Sequence, residues 1–234
     1  MLILGIDTAT DQVSVALGGH EGVLGSVAVA RGRRHAETVA PAIEFLTAQT
    51  GVGLDEIGAV AVDVGPGLFT GLRVGVATAK AMAYALRVPM VGVASLDLVA
   101  FPLRTTSRLI AAAVDARRGE LFFAFYRPVP GGVQRVGEYQ VGPPADLVSD
   151  IVATGEEVLA VGDGARRHAG ELEGLSRVRV ADQETAHPSA TSLVQLAHAQ
   201  AVREEFVRPW ELEPLYLRRP DAVANWVSRA GEGS

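Results

Sequence analysis

One layout occurs twice in this chain, and it limits the available folds more than any other feature. Leu2-Ile3-Leu4-Gly5-Ile6-Asp7-Thr8-Ala9-Thr10, followed by Val13-Ser14-Val15-Ala16, has a counterpart in Ile110-Ala111-Ala112-Ala113-Val114-Asp115-Ala116-Arg117-Arg118, followed by Leu121-Phe122-Phe123-Ala124. In each, an apolar strand ends in one Asp, a short polar turn follows, and the next strand begins six positions after the Asp. A repeat of this kind implies two lobes descended from one unit. The 234 residues suit that arrangement better than a single large core. Facing turns of this type can place two carboxylates and several backbone N–H groups around a phosphate or its magnesium, which makes Asp7 and Asp115 candidates for such a cleft. Alternatively, each Asp closes its own turn by accepting a backbone N–H.

The rest of the chain fills in an α/β pattern. Leu2–Ile6, Val13–Leu17 and Val23–Ala30 read as hairpin-connected strands. Val39, Ile43 and Leu46 recur at helical spacing and predict a helix from about His35 to Gln49, kinked at Pro41. Strand Ala59–Val64, a second helix and strand Met90–Ala94 complete a first lobe ending near Leu103. Leu109–Val114, Leu121–Tyr126, Val133–Val141 and Val158–Val161 predict the strands of a second, with a helix across Thr191–Glu205. The expected division is residues 1–103, 104–220 and an aperiodic tail, 221–234.

Gly65-Pro66-Gly67-Leu68-Phe69-Thr70-Gly71-Leu72-Arg73-Val74-Gly75 is the most distinctive string. It lies where a strand hands over to a helix, so its glycines permit tight turning and close backbone approach. No Gly-Lys-Ser/Thr follows, so it is not a P-loop. Beyond it, Gly71, Gly75, Ala79 and Ala83 form one small-residue row and Ala77, Ala81 and Ala85 another. Another helix can approach such rows closely. One row must pack within the chain, and the other is free to meet a partner.

Metal and nucleophile chemistry find little support. His20, His35, His168, His187 and His198 are dispersed with no His-x-x-x-His pair, and cysteine is absent. Ser95, Ser189 and Ser192 read as turn or cap residues. Arg31, Arg33 and Arg34, Arg117-Arg118 and Arg166-Arg167 are small basic groups of the kind found on solvated faces. A net charge of −6 argues against a dedicated nucleic-acid binder. The first residues carry no basic leader, and Gly71–Leu86 is too polar to span a bilayer, so a cytoplasmic location is expected.

The strings Ile6-Asp7-Thr8-Ala9-Thr10, His35 with Pro41, Gly65 to Gly75, Val114-Asp115-Ala116-Arg117-Arg118-Gly119-Glu120-Leu121 and Pro214-Leu215-Tyr216-Leu217-Arg218, in this order, resemble the TsaB (YeaZ-like) family. The resemblance implies a reduced, duplicated two-lobe fold of the actin-like (ASKHA, ribonuclease H-like) class. It further implies a catalytically silent subunit in the synthesis of N6-threonylcarbamoyladenosine at adenosine 37 of ANN-decoding tRNAs. Its partners would be TsaD, the catalytic paralogue that carries the metal, and TsaE, an ATPase acting on the pair; tRNA would be met through the complex. In the paralogue a His-x-x-x-His pair follows the strand resembling Met90–Ala94, and the matching positions here are Ser95 and Val99, which cannot replace it. The family string has Ser where this chain has Leu68.

From the resemblance, the partner face is expected on the first-lobe helices, at Val39, Ile43, Leu46, Gly71, Gly75, Ala79, Met82 and Ala83, a face a homodimer would reuse. Asp7, Thr8, Asp115 and Gly162 are expected to form at most a weak or vestigial nucleotide site. The chain itself is expected to need no cofactor and no metal, with ATP or ADP confined to the partner interface. The competing readings are an actin-like-fold small-molecule kinase or ATPase using Asp7 and Asp115, and a metallopeptidase, which fails for want of ligands.

Overall fold

The computed structural model describes residues 1–30 and 34–218; Arg31, Arg33 and the expected tail lie outside them. The chain opens as a meander of β1 (Leu2–Asp7), β2 (Gln12–Gly19) and β3 (Gly22–Ala30). Helix α1 (His35–Thr50), strand β4 (Ile57–Gly65), helix α2 (Phe69–Leu86) and strand β5 (Met90–Ala94) follow. Together the strands form a sheet in the order β3-β2-β1-β4-β5, with β1 antiparallel to β2 and parallel to β4. Register pairs Ile6 with Val15 on one side and Val62 on the other.

The same plan then repeats. A short helix α3 (Ser95–Ala100) leads to β6 (Leu109–Arg117), β7 (Glu120–Val129), β8 (Gly132–Gly142), α4 (Pro144–Thr154) and β9 (Val158–Val161). The helices α5 (Asp163–Arg167) and α6 (Ala169–Glu173) precede β10 (Val178–Val180). The second sheet runs β10-β9-β6-β7-β8, so β6 corresponds to β1 and β9 to β4. The repeat inferred from Asp7 and Asp115 is therefore a repeat of topology.

Burial explains which strands read clearly. β1 and β6, central in their sheets and covered on both faces, are continuous apolar runs, whereas the edge strand β3 alternates between partly buried and exposed residues. Helix α1 continues through Pro41, whose ring is exposed, so the missing N–H removes one hydrogen bond without ending the helix. Helices α3 to α6 and strand β10 were not legible, being too short or too weakly periodic.

The expected boundary between lobes needs one correction. Helix α7 (Ala190–Val202) does not belong to the second lobe: its Leu193, Val194, Ala197 and Ala201 pack with Ile3, Ala16, Ala59 and Val91 of the first sheet. Ser189 caps it by accepting the N–H of Ser192 at 3.2 Å. Beyond it, Met90 and Val207 exchange two backbone hydrogen bonds, Leu212 is buried in the core beneath α1 and α2, and Leu215 donates its N–H to Val64 at 2.7 Å. The first lobe is thus built from both ends of the chain, α7 joining Leu98 of α3 over the second face of its sheet. We predict that Leu193→Ala and Leu212→Ala each lower unfolding free energy by about 2–5 kcal/mol. Denaturant titration followed by tryptophan fluorescence checks this; a loss below 1 kcal/mol at both positions refutes the shared core.

Candidate functional site

In the first lobe, β1 and β4 end side by side and deliver Asp7 and Asp63 into the interior, where both are buried. Asp7 Oδ1 accepts the Ala9 N–H at 3.0 Å and its Oδ2 accepts the Ser14 hydroxyl at 3.0 Å. The Ser14 oxygen in turn accepts the Ala190 N–H at 2.8 Å, tying this cluster to the start of α7. Asp63 Oδ1 accepts the Gly65 N–H at 2.8 Å and the Ser95 hydroxyl at 2.6 Å. Its Oδ2 is fully buried and receives no hydrogen bond. The neighbouring acid is Asp7, and each of the two carboxyls acts on the protonation of the other.

Two ionised carboxylates cannot share a dry site, so one keeps its proton. Burial raises the Asp7 carboxyl to about 6, against the opposing influence of Ala9, Asp63 and Ser14. Burial followed by the Asp7 charge drives Asp63 well above the usual carboxylate range. The pair lies fully inside the lobe, with Asp63 Oδ2 the one of its four oxygens without a hydrogen-bond partner. Asp63 was missed in the sequence; its signal is the apolar run Ala59–Val62 ending in Asp, the same pattern that drew attention to Asp7.

The second lobe places Asp115 and Asp163 at the corresponding strand ends, but resolves their charge differently. Asp115 is 5% exposed, and its Oδ2 faces Arg167 at 2.7 Å and Arg117 at 3.2 Å, while Oδ1 accepts the Arg117 N–H at 2.9 Å. Arg117 also reaches Asp11 of the first-lobe turn at 2.6 Å, so one guanidinium joins the two facing turns. Asp163 accepts the Asp115 N–H at 3.0 Å, and burial raises its carboxyl above the ordinary range. Gly162, expected beside a nucleotide, instead lies against β6: a Cβ there would stand 2.1 Å from the Ala113 carbonyl oxygen, and its φ is 107°. Thr8 likewise points inward, donating its hydroxyl to the Gly71 carbonyl at 2.7 Å. Of the four residues expected at a nucleotide site, none presents an unengaged polar side chain to the cleft.

The distinctive glycine string has a packing role. A Cβ at Gly67 would lie 2.3 Å from the Ala9 carbonyl oxygen, one at Gly71 2.1 Å from that of Thr8, and one at Gly75 2.3 Å from Thr8 Oγ1. Leu68, which departs from the family string, docks through its backbone, donating to Ala9 O at 2.7 Å. The expected partner face is corrected accordingly. Val39, Ile43, Leu46, Gly71, Gly75, Ala79 and Ala83 are all buried within this chain, and Met82 is half-buried, because these sides of α1 and α2 cover the sheet. The outward row is Ala77, Ala81 and Ala85, with Tyr84 beside it and Phe45 exposed on α1.

At the lobe junction, Ser95 gives its hydroxyl to Asp63, and Val99 sits among Leu96, Ile110, Ala112 and Val114. Asp97, on the same short helix, accepts the hydroxyls of Tyr126 and Tyr139 at 2.7 and 3.0 Å, which clamps α3 onto the second sheet. Among the described residues no group of three or more His, Cys, Asp or Glu side chains could hold a metal ion, and no helix is long and apolar enough to cross a membrane.

Comparison with known proteins fits this geometry. The family model described as TsaD, tRNA N6-adenosine threonylcarbamoyltransferase, matches residues 19–226. The tRNA threonylcarbamoyladenosine biosynthesis protein TsaB of Escherichia coli is 30% identical over 93% of this chain and 95% of its own length. This chain belongs to the TsaB family. A Mycobacterium leprae protein, ML0378, is 37% identical over 94% of the chain, which spans only 56% of that longer protein. The solved structure of YeaZ from Pseudomonas aeruginosa superposes with a TM-score of 0.79 at 28% identity, covering 92% of this chain and 99% of that one. The TsaB-family chain therefore has the two-lobe, actin-like architecture.

Within this TsaB-family fold the acid pair gives a pH signature. The folded state holds protons on Asp7 and Asp63 that the unfolded chain releases near pH 4, so their contribution to stability falls as pH rises from about 4 through 6. An amide at position 63 can donate to Asp7 without a trapped proton. We predict that Asp63→Asn folds, and that its loss of stability between pH 4.5 and 7 is smaller than that of the parent chain. Urea titrations across this range measure it; an equal or steeper decline in the variant refutes the shared proton.

Proposed function

We propose that this chain serves tRNA N6-threonylcarbamoyladenosine biosynthesis as a non-catalytic subunit, supporting a TsaD-type catalytic paralogue in the modification of adenosine 37 of ANN-decoding tRNAs. The observation that carries this reading is the state of the cleft: Asp7 is paired with Asp63, and Asp115 is neutralised by Arg117 and Arg167. A kinase or ATPase of this fold would need those carboxylates free for a metal–phosphate group, so the alternative is not favoured. Ser95 and Val99, standing where the resemblance places the paralogue's histidines, are closed into hydrogen bonding and apolar packing. On this reading the chain acts in the cytoplasm and needs no cofactor of its own. Any ATP or ADP is held where the partner completes the site, and a TsaE-type ATPase acts on the assembled pair.

The surface that would meet the paralogue is the outward side of α2, where Ala77, Ala81 and Ala85 leave a flat strip beside Tyr84. Close helix packing tolerates no long charged side chain there. We predict that Ala77→Arg and Ala81→Arg leave the melting temperature unchanged, since both residues face solvent in the free chain. Each should weaken association with the TsaD paralogue at least tenfold, about 1.4 kcal/mol, and lower threonylcarbamoyladenosine in tRNA in step. Co-purification, calorimetry and nucleoside analysis test this; unchanged affinity in both variants defeats the proposed face, and robust turnover of a small phosphoryl acceptor by the isolated chain revives the kinase reading.

A further inference from the structure

A second surface lies at the far end of α2, where the helix meets the segment that returns from α7. The two enclose a groove of about 760 Å³, floored by Val88, Pro89, Phe206 and Pro209. Tyr84 and Trp210, 76% and 66% exposed, stand on its rim, and Arg87 and Arg208 line it with them. The walls are held in place. The Met90–Val207 hydrogen bonds, the Leu212 N–H to Arg208 carbonyl bond and the burial of Leu212 anchor one side, and Arg87 closes the other as the left-handed terminal residue of α2, its N–H bonded to Ala83 and Tyr84. None of these contacts needs the two aromatic rings outside.

Charge selects the occupant. No carboxylate lines the groove, and neither Arg87 nor Arg208 has an ion-pair partner among the described residues; Arg208 lies 5.6 Å from the Trp210 ring centre. The nearby acids are engaged elsewhere: Glu205 pairs with Arg203, and Glu211 accepts the Arg208 backbone N–H. Two guanidiniums on a chain of net charge −6 are too few to hold RNA, whose binding depends on neutralising many phosphates. A concave apolar floor with Trp, Tyr and Arg at its edge has the residue types that dominate binding energy at protein interfaces. We propose that this groove docks a short acidic peptide segment of a partner protein, its aromatic or large aliphatic side chain entering between Tyr84 and Trp210 and its carboxylates meeting Arg87 and Arg208.

The groove adjoins the Ala77–Ala81–Ala85 strip and shares Ala85 and Tyr84 with it, but Trp210, Arg87 and Arg208 lie outside that strip, and the test does not depend on the paralogue. A random dodecapeptide phage library is selected on the full chain, with counter-selection on Trp210→Ala and on the double variant Arg87→Glu, Arg208→Glu. Enriched sequences are expected to carry at least two Asp or Glu flanking a Phe, Trp, Leu or Ile. A synthetic peptide of the enriched sequence should lose at least tenfold in affinity for either variant, by fluorescence anisotropy. All substituted side chains are solvent-facing, and circular dichroism melts confirm that the variants fold. No enriched sequence, an enriched sequence without acids, or peptide binding indifferent to both variants overturns the proposal. Saturable binding of a uridine dodecamer lost in the same variants overturns it in favour of RNA.

Discussion

The β1–β2 turn lies directly against the backbone of α2, and much of the first lobe follows from that contact. Carbonyls of Thr8 and Ala9 stand where side chains at Gly71 and Gly67 would be, and the Thr8 hydroxyl fills the space at Gly75 while bonding the Gly71 carbonyl. Such proximity is open only to glycine, since a Cβ would meet a backbone oxygen at Gly67 and Gly71, and the Thr8 hydroxyl at Gly75, well inside contact distance. It fixes the ends of β1 and β4 side by side, which is what brings Asp7 onto Asp63. The same contact turns the Gly71, Gly75, Ala79 and Ala83 row inward, leaving the other row for solvent or a partner.

The two lobes share a topology and both place paired acids at their central strand ends, yet they neutralise them by different physics. The first lobe keeps the pair dry and protonated, with serine hydroxyls and backbone N–H groups as company. The second sets Asp115 beside two guanidiniums, one of which crosses to Asp11. Arg117 is about two-fifths exposed, so its contribution to stability is modest. Its geometric effect is larger, because it holds the facing turns at a fixed separation. On the second-lobe side of the cleft, Arg117 and Arg167 occupy the positions beside the Asp115 carboxylate.

The architecture was legible because central strands buried on both faces read as unbroken Val, Ile and Ala runs ending in Asp. The helix at His35 was legible from Val39, Ile43 and Leu46. Asp63 and Asp163 were not, since Val64 continues the apolar run beyond the first and Gly162 disguises the second. The direction of the α2 rows was also hidden: two small-residue stripes of one helix look alike until the turn that selects one of them is in place. Nor does periodicity reveal which sheet α7 covers, since Leu193, Val194 and Ala197 would suit either.

That last assignment bears on how the molecule is made. β1 to β5 are made before the second lobe, but the face of their sheet bounded by Ile3, Ala16, Ala59 and Val91 has only Leu98 of α3 over it until the chain beyond residue 190 emerges. Throughout that interval the second lobe, whose elements are contiguous, can close on itself while the first waits with an apolar surface exposed. The second lobe can therefore close before the first does, and the helices α1 and α2 gain a finished scaffold only once α7 has emerged.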